Sequence, residues 1–196
     1  MASRLFIVFT DFDGVMARVQ TWSNDTLFAG ACAKIGCPEM RDLDIYALNR
    51  LDRLCRVLGK DDAVWLVSTS MWKRVFMAAK NRKFITKWAG LKKMEIVHKN
   101  RKSFDRFTPC EPYTRIRLIQ WYLKKYSPDG FIIFDDNYEY DLRKAFGREH
   151  FIHTDKANGL TFDDYVAFRG IVSSWAPVDV SEERLKAFDV LMASIC

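Results

Sequence analysis

No stretch of this chain approaches the ~20 consecutive apolar residues that crossing a bilayer requires. The opening Met1-Ala2-Ser3-Arg4 carries no signal-peptide pattern before the first hydrophobic segment. Together these absences lead to the expectation of a soluble, cytoplasmic protein with no membrane partner. Cysteine is present but poorly organised. Cys32, Cys37, Cys55, Cys110 and Cys196 are odd in number, irregular in spacing and lack a second pair of His or Cys ligands, so reduced thiols are expected rather than a zinc site. Internal repeats and low-complexity segments are also missing, which leaves an ordinary globular chain.

What is present fits that class. With 196 residues, 49% hydrophobic and 29% charged, the chain is long enough for one domain with a full core. The net charge of +6 is modest but uneven. Between Lys73 and Arg106, twelve Lys or Arg stand against Glu95 and Asp105 alone, so the rest of the chain is net negative. A segregated basic face suits an anionic ligand, although a solvated helix surface accounts for such residues equally simply.

The most informative stretch is Leu5-Phe6-Ile7-Val8-Phe9-Thr10-Asp11-Phe12-Asp13-Gly14-Val15. Its unbroken apolar run has no polar face, as in a central parallel strand covered on both sides. The run ends in Asp11 and Asp13, two carboxylates that repel each other unless a cation joins them, with Gly14 permitting a tight turn. A strand followed by an Asp-Gly turn is the plainer alternative. Two later strands end in similar chemistry. Ala63-Val64-Trp65-Leu66-Val67 leads into Ser68-Thr69-Ser70, and Phe131-Ile132-Ile133-Phe134 leads into Asp135-Asp136. Hydroxyls at a helix start cap that helix and equally suit a phosphate.

Between these strands, residues 16–45 show no sustained helical period and are expected to form a loop or small insertion over the sheet end. Helical spacing predicts helices over 45–58, 71–88, 114–126, 142–146 and 163–172, with further short strands at 94–97 and 151–153. Thr108-Pro109 marks a break before the 114–126 helix, and Gly159-Leu160-Thr161 turns into the 163–172 helix. Ser181 caps a final apolar-faced helix, giving a domain over 1–172 and a C-terminal packing helix within 173–196. Strands alternating with helices predict a Rossmann-like α/β three-layer sandwich around a parallel sheet.

These motifs, in this order, resemble the haloacid dehalogenase (HAD) superfamily of phosphohydrolases. Asp11-Phe12-Asp13-Gly14-Val15 is similar to its first motif, Val67-Ser68-Thr69-Ser70 to its second and Phe134-Asp135-Asp136 to its fourth. Within the superfamily the chain resembles the small HAD domain family of Swiss Army knife RNA repair proteins. That likeness rests on Thr69-Ser70-Met71-Trp72, Thr108-Pro109 with Arg115, Ile119 and Trp121-Tyr122-Leu123, Asp135-Asp136 and Gly159-Leu160-Thr161. The superfamily's usual third-motif lysine is replaced here by Arg115, or further along the helix by Lys124. Ser68, Thr69 and Ser70 each compete for the phosphate-facing role, with Thr69 favoured by its distance to Trp72.

The resemblance implies a minimal-cap, Mg²⁺-dependent phosphatase. Asp11 would be the nucleophile that forms an aspartyl-phosphate, and Asp13 the acid and then base, expected beside other carboxylates and partly buried. Thr69, Ser70 and Arg115 would bind phosphate. Asp11, Asp13 through its backbone carbonyl, and Asp135 or Asp136 would hold the metal. The basic segment and the repair-family likeness favour a nucleotide or a terminal phosphate of RNA or DNA as substrate. A small-metabolite phosphate, or a catalytically silent module that binds nucleic acid or protein, are the alternatives.

Overall fold

The computed structural model describes residues 3–16, 26–99, 112–175 and 190. Five strands, β1 (Leu5–Thr10), β2 (Ala63–Ser68), β3 (Met94–Ile96), β4 (Gly130–Asp135) and β5 (Phe151–His153), pair in parallel in the order β3-β2-β1-β4-β5. The helices are α1 (Thr26–Lys34), α2 (Ile45–Cys55), α3 (Lys73–Met77), α4 (Ala79–Trp88), α5 (Pro112–Tyr126), α6 (Glu139–Phe146) and α7 (Phe162–Trp175). This is the expected Rossmann-like α/β sandwich.

The two cores explain the unbroken apolar strands. Along β1, Phe6 and Val8 pack with Leu48 and Leu51 of α2, Ile85 of α4 and Phe168 of α7. Ile7 and Phe9, pointing the other way, pack with Leu118, Ile119 and Tyr122 of α5 and Leu142 of α6. With a helical layer on each side, no strand face is left for polar residues. Asp44 caps α2 by accepting the Ala47 amide at 2.9 Å. Thr161 and Asp164 form a reciprocal capping pair at α7, the Thr161 amide donating to Asp164 at 2.7 Å and the Asp164 amide to the Thr161 hydroxyl at 3.4 Å.

Three segments differ from the expectation. Residues 26–34 form a helix rather than loop, because the i, i+4 pair Phe28 and Cys32 is fully buried in the first core while Ala29, Ala31 and Ala33 favour helix around Gly30. The helix predicted over 71–88 is broken at Ala78, whose ψ of 119° is extended. Carbonyls freed by the break are taken up by side chains of α4: Asn81 donates to Val75 at 2.8 Å, and Arg82 donates to Phe76 and to Met77. Finally, α7 runs on to Trp175, which stacks on Phe6 at 5.1 Å and lies so close over Gly130 that a Cβ there would stand 2.6 Å from the indole nitrogen. The Thr108-Pro109 break, and the C-terminal helix apart from the exposed Val190, lie outside the described residues.

The topology selects one place on the sheet. The chain steps outward from β1 to β2 to β3, then returns to lay β4 on the other side of β1. Adjacent strands β1 and β4 therefore send their following segments apart, which opens a crevice at their carboxyl ends. Thr10 is level with Ser68 on β2 and with Phe134 on β4. One step further, the Thr69 amide donates to Thr10 and the Asp11 amide to Phe134, both at 2.9 Å. Asp11, Thr69 and Asp135 thus leave the sheet side by side.

Candidate active site

Asp11 is buried, and its two oxygens are treated differently. Oδ2 accepts from Arg115 Nη1, which also donates to Asp135 Oδ2. Oδ1 is buried without a hydrogen-bond partner among the described residues. Arg115, in the first turn of α5, is itself buried and lies 4.8 Å over the Tyr138 ring. A cation at a helix start opposes the helix dipole, and the two carboxylates offset that cost. Lys124 is exposed on the same helix, nine residues and more than two turns further on. Of the two candidates for the third motif, Arg115 is the one the fold brings to the acids.

Asp135 is held on both sides. While Oδ2 takes Arg115, Oδ1 accepts the amides of Asn137 at 2.9 Å and Tyr138 at 3.2 Å at the start of α6. Asp136 is half-buried. Its Oδ1 accepts from the Asn137 side chain at 3.0 Å, and its Oδ2 is buried without a partner among the described residues. Gly14 makes this approach feasible. Its φ of +77° disfavours side chains, and a Cβ there would sit 2.5 Å from Asp136 Oδ2.

Asp11, Asp135 and Asp136 each offer an oxygen, all within 4.8 Å of one another. One guanidinium among three carboxylates leaves excess negative charge in a poorly solvated place. Burial first, and then the neighbouring Asp135 and Asp136, push the Asp11 carboxyl up to about 7 against the opposing pull of Arg115. Burial and then Asp135 raise Asp136 as well. Burial pulls the Arg115 pKa down, but Asp11 and Asp135 more than offset this and it stands raised. A donor set made wholly of carboxylate oxygen, with two buried oxygens unpartnered, fits a hard divalent cation.

The three hydroxyls of the second motif separate cleanly. Thr69 is buried with its Oγ1 unpartnered among the described residues. Ser70 Oγ accepts the amides of Phe12 at 3.3 Å and Trp72 at 3.4 Å, with Ser68 Oγ at 3.5 Å. Thr69 therefore presents the available hydroxyl, and Ser70 braces the β2 loop to the β1 loop. Asp13 is exposed rather than partly buried, and its Oδ1 accepts from Trp72 Nε1 at 2.8 Å. Its side chain stands outside the cluster of Asp11, Asp135 and Asp136.

The fold therefore gathers Asp11, Thr69, Arg115, Asp135 and Asp136 at one sheet end. Sequence reasoning missed Asn137, which steers Asp136, Tyr138 beneath Arg115, and the side-chain bond from Trp72 to Asp13. The place of Asn137 directly after Asp135-Asp136, at the start of a helix, was a usable signal.

Among the described residues the basic segment serves both the fold and the surface. Lys93 donates to the carbonyls of Gly59 at 2.6 Å and Asp62 at 2.5 Å, Arg82 serves the α3–α4 break, and Lys73 is buried. Lys83, Lys87 and Lys92 are exposed and, with Arg82, line an open groove of about 510 Å³ between α4 and β3. Cys32, Cys37 and Cys55 are buried free thiols, with Cys32 and Cys37 pushed up to about 11 chiefly by burial. Among the described residues, no helix is long and apolar enough to cross a membrane.

A family model described as "HAD domain in Swiss Army Knife RNA repair proteins" matches residues 7–165. That span holds every site residue named above. No curated protein and no solved structure matches the chain.

Proposed function

The chain belongs to the family of HAD domains in Swiss Army Knife RNA repair proteins, and from that membership we propose that it is a Mg²⁺-dependent phosphomonoester hydrolase working through an aspartyl-phosphate. The observation that carries this reading is the pair of buried carboxylate oxygens, Asp11 Oδ1 and Asp136 Oδ2, beside the Thr69 hydroxyl at the same sheet end, all three without a partner among the described residues. Unsatisfied buried acceptors are costly, and they accumulate where a ligand completes them.

The Asp11 carboxylate attacks the phosphorus of the substrate. The bond from phosphorus to the leaving oxygen breaks, and Asp13 gives that oxygen its proton. Asp13 then takes a proton from water as the water attacks phosphorus, and the bond to Asp11 breaks to release phosphate. Thr69 and Arg115 hold the phosphoryl oxygens, with Ser70 supporting the loop that carries Thr69. Asp11, Asp135 and Asp136, with the Asp13 backbone carbonyl, would hold Mg²⁺. When bound, that ion supplies charge neutralisation between carboxylate and phosphate and polarises the phosphoryl group. Proximity to a cation also favours the ionised form of Asp11, which is the nucleophilic one.

For the substrate, we infer a nucleotide or a terminal phosphate of RNA or DNA. This is supported by the groove carrying Arg82, Lys83, Lys87 and Lys92, with Glu95 its lone acid among the described residues, and by the name of the matching family. The test is phosphate release, with and without Mg²⁺, from 3′- and 5′-phosphorylated oligonucleotides, mononucleotides and sugar phosphates. Oligonucleotide ends are expected to give the highest kcat/KM, with a KM that climbs steeply with salt. Equal turnover of sugar phosphates with no salt dependence would assign a small metabolite instead. Tight oligonucleotide binding without turnover would assign a silent binding module.

A further inference from the structure

Asp13 is exposed, and an exposed aspartate ordinarily samples several rotamers. Here its Oδ1 accepts from the indole Nε1 of Trp72 at 2.8 Å. Trp72 is itself well fixed. It is only 8% exposed, and its ring stacks on Phe12 at 5.9 Å and approaches Phe76 at 6.3 Å. Its amide and that of Phe12 both donate to Ser70 Oγ. Phe12 lies between Asp11 and Asp13, so the β2 loop grips the β1 loop at three points: a hydroxyl bridge, an aromatic stack and one side-chain hydrogen bond.

We infer that Trp72 is a positioning residue for Asp13, fixing which carboxylate oxygen meets the leaving group. An indole N–H only donates. It occupies Oδ1 as an acceptor, so the acid's proton resides on Oδ2, and the carboxyl plane is held by a buried ring rather than by solvent. Proton transfer requires the donor oxygen within about 3 Å of the leaving oxygen, and a fixed plane keeps Oδ2 at that distance through the transition state. The inference rests on the role of Asp13 as acid given above.

The test separates positioning of the acid from general support of the fold. Wild-type protein and Trp72→Phe, which keeps the aromatic stack and removes the donor, are compared with Mg²⁺ on two phosphate monoesters. One is an aryl ester whose phenolate leaves without help; the other is an alkyl ester whose oxygen must be protonated as it departs. The ratio kcat/KM covers the steps from free enzyme and substrate through loss of the leaving group, so the later role of Asp13 as base does not intrude. The expected result is a loss of about tenfold or more on the alkyl ester and less than about twofold on the aryl ester. Equal losses on both, or no loss on either, would overturn the inference. If Trp72→Phe does not fold, benzothienylalanine at position 72, the same bicycle with sulfur in place of N–H, supports the same comparison. A wild-type chain that turns over neither ester overturns the phosphatase reading and this inference with it. A wild-type chain that turns over both, with the variant tracking it, overturns the role of Trp72 alone.

Discussion

Asp11 and Asp52 are both buried aspartates beside an arginine, yet the protein spends them differently. Asp52, in the last turn of α2, is fully satisfied. Its Oδ1 accepts the amides of Lys92, Lys93 and Met94 at 3.0, 2.7 and 2.7 Å, and its Oδ2 accepts Arg56 Nε and Nη2 at 3.1 and 2.8 Å. It ties α2 to the start of β3. At Asp11, Arg115 is shared with Asp135 and Oδ1 is left without a partner among the described residues. Burial and an ionic neighbour are common to both sites, so neither marks function. What differs is how many acceptor positions the protein leaves open.

The sharpest way to break this comparison is to neutralise each carboxylate in turn. Asp11→Asn is expected to lower phosphate release by at least about a thousandfold while the folded protein remains as stable as wild type or more so. Asp52→Ala should do the reverse, costing about 3–5 kcal/mol in chemical denaturation by stranding three amides and a guanidinium, with activity per folded molecule unchanged. A stable Asp52→Ala, or a strongly destabilised Asp11→Asn, would erase the distinction.

A pH series sharpens it further. Burial, with Asp135 and Asp136 nearby, pushes the Asp11 carboxyl up to about 7, well above its unfolded value. For a carboxyl raised by folding, the stabilising contribution is complete below the unfolded pKa and is lost as pH rises through the folded one. The metal-free protein should therefore lose stability through Asp11 between about pH 4 and 7, by a few kcal/mol at most. Denaturation in chelator across that range checks this. Asp11→Asn should have a flatter profile than wild type, and Mg²⁺ should restore the wild type at the upper end.

Smaller effects follow at the supports. Arg115→Ala should raise KM by about tenfold or more, and Lys124→Ala should leave steady-state kinetics unchanged. The opposite ranking would move the third-motif role to Lys124. Gly14→Ala should cost about 1–3 kcal/mol, from its positive φ and the collision with Asp136. It should also weaken Mg²⁺ binding measured by calorimetry.

Much of this was readable in the chain beforehand, for identifiable reasons. The central strands announce themselves because a sheet covered on both faces needs continuous apolar residues. Asp11 and Asp135-Asp136 are visible because polar residues end those runs abruptly. Asp52 was not legible, since a helix supplies polar positions at the same spacing and only the fold brings the amides of 92–94 to it. The Ala78 break has no proline or glycine to mark it. Its trace is a step from Ala79 to Phe84 that is out of phase with 3.6 residues per turn. Residues 26–34 were hidden by a short apolar stripe of two residues with Gly30 between them. Trp72 was visible as part of a motif, but its donation to Asp13 crosses between two loops and belongs to the tertiary structure alone.

The central claim, that the Asp11 carboxylate attacks phosphorus, is tested most directly by trapping. Wild-type protein is mixed briefly with a labelled phosphate ester and Mg²⁺, quenched in acid, digested and mapped. Label on the peptide carrying Asp11, absent from Asp11→Asn, is the predicted result. Sustained release of phosphate by the Asp11→Asn protein, or label carried on a different residue, would contradict it.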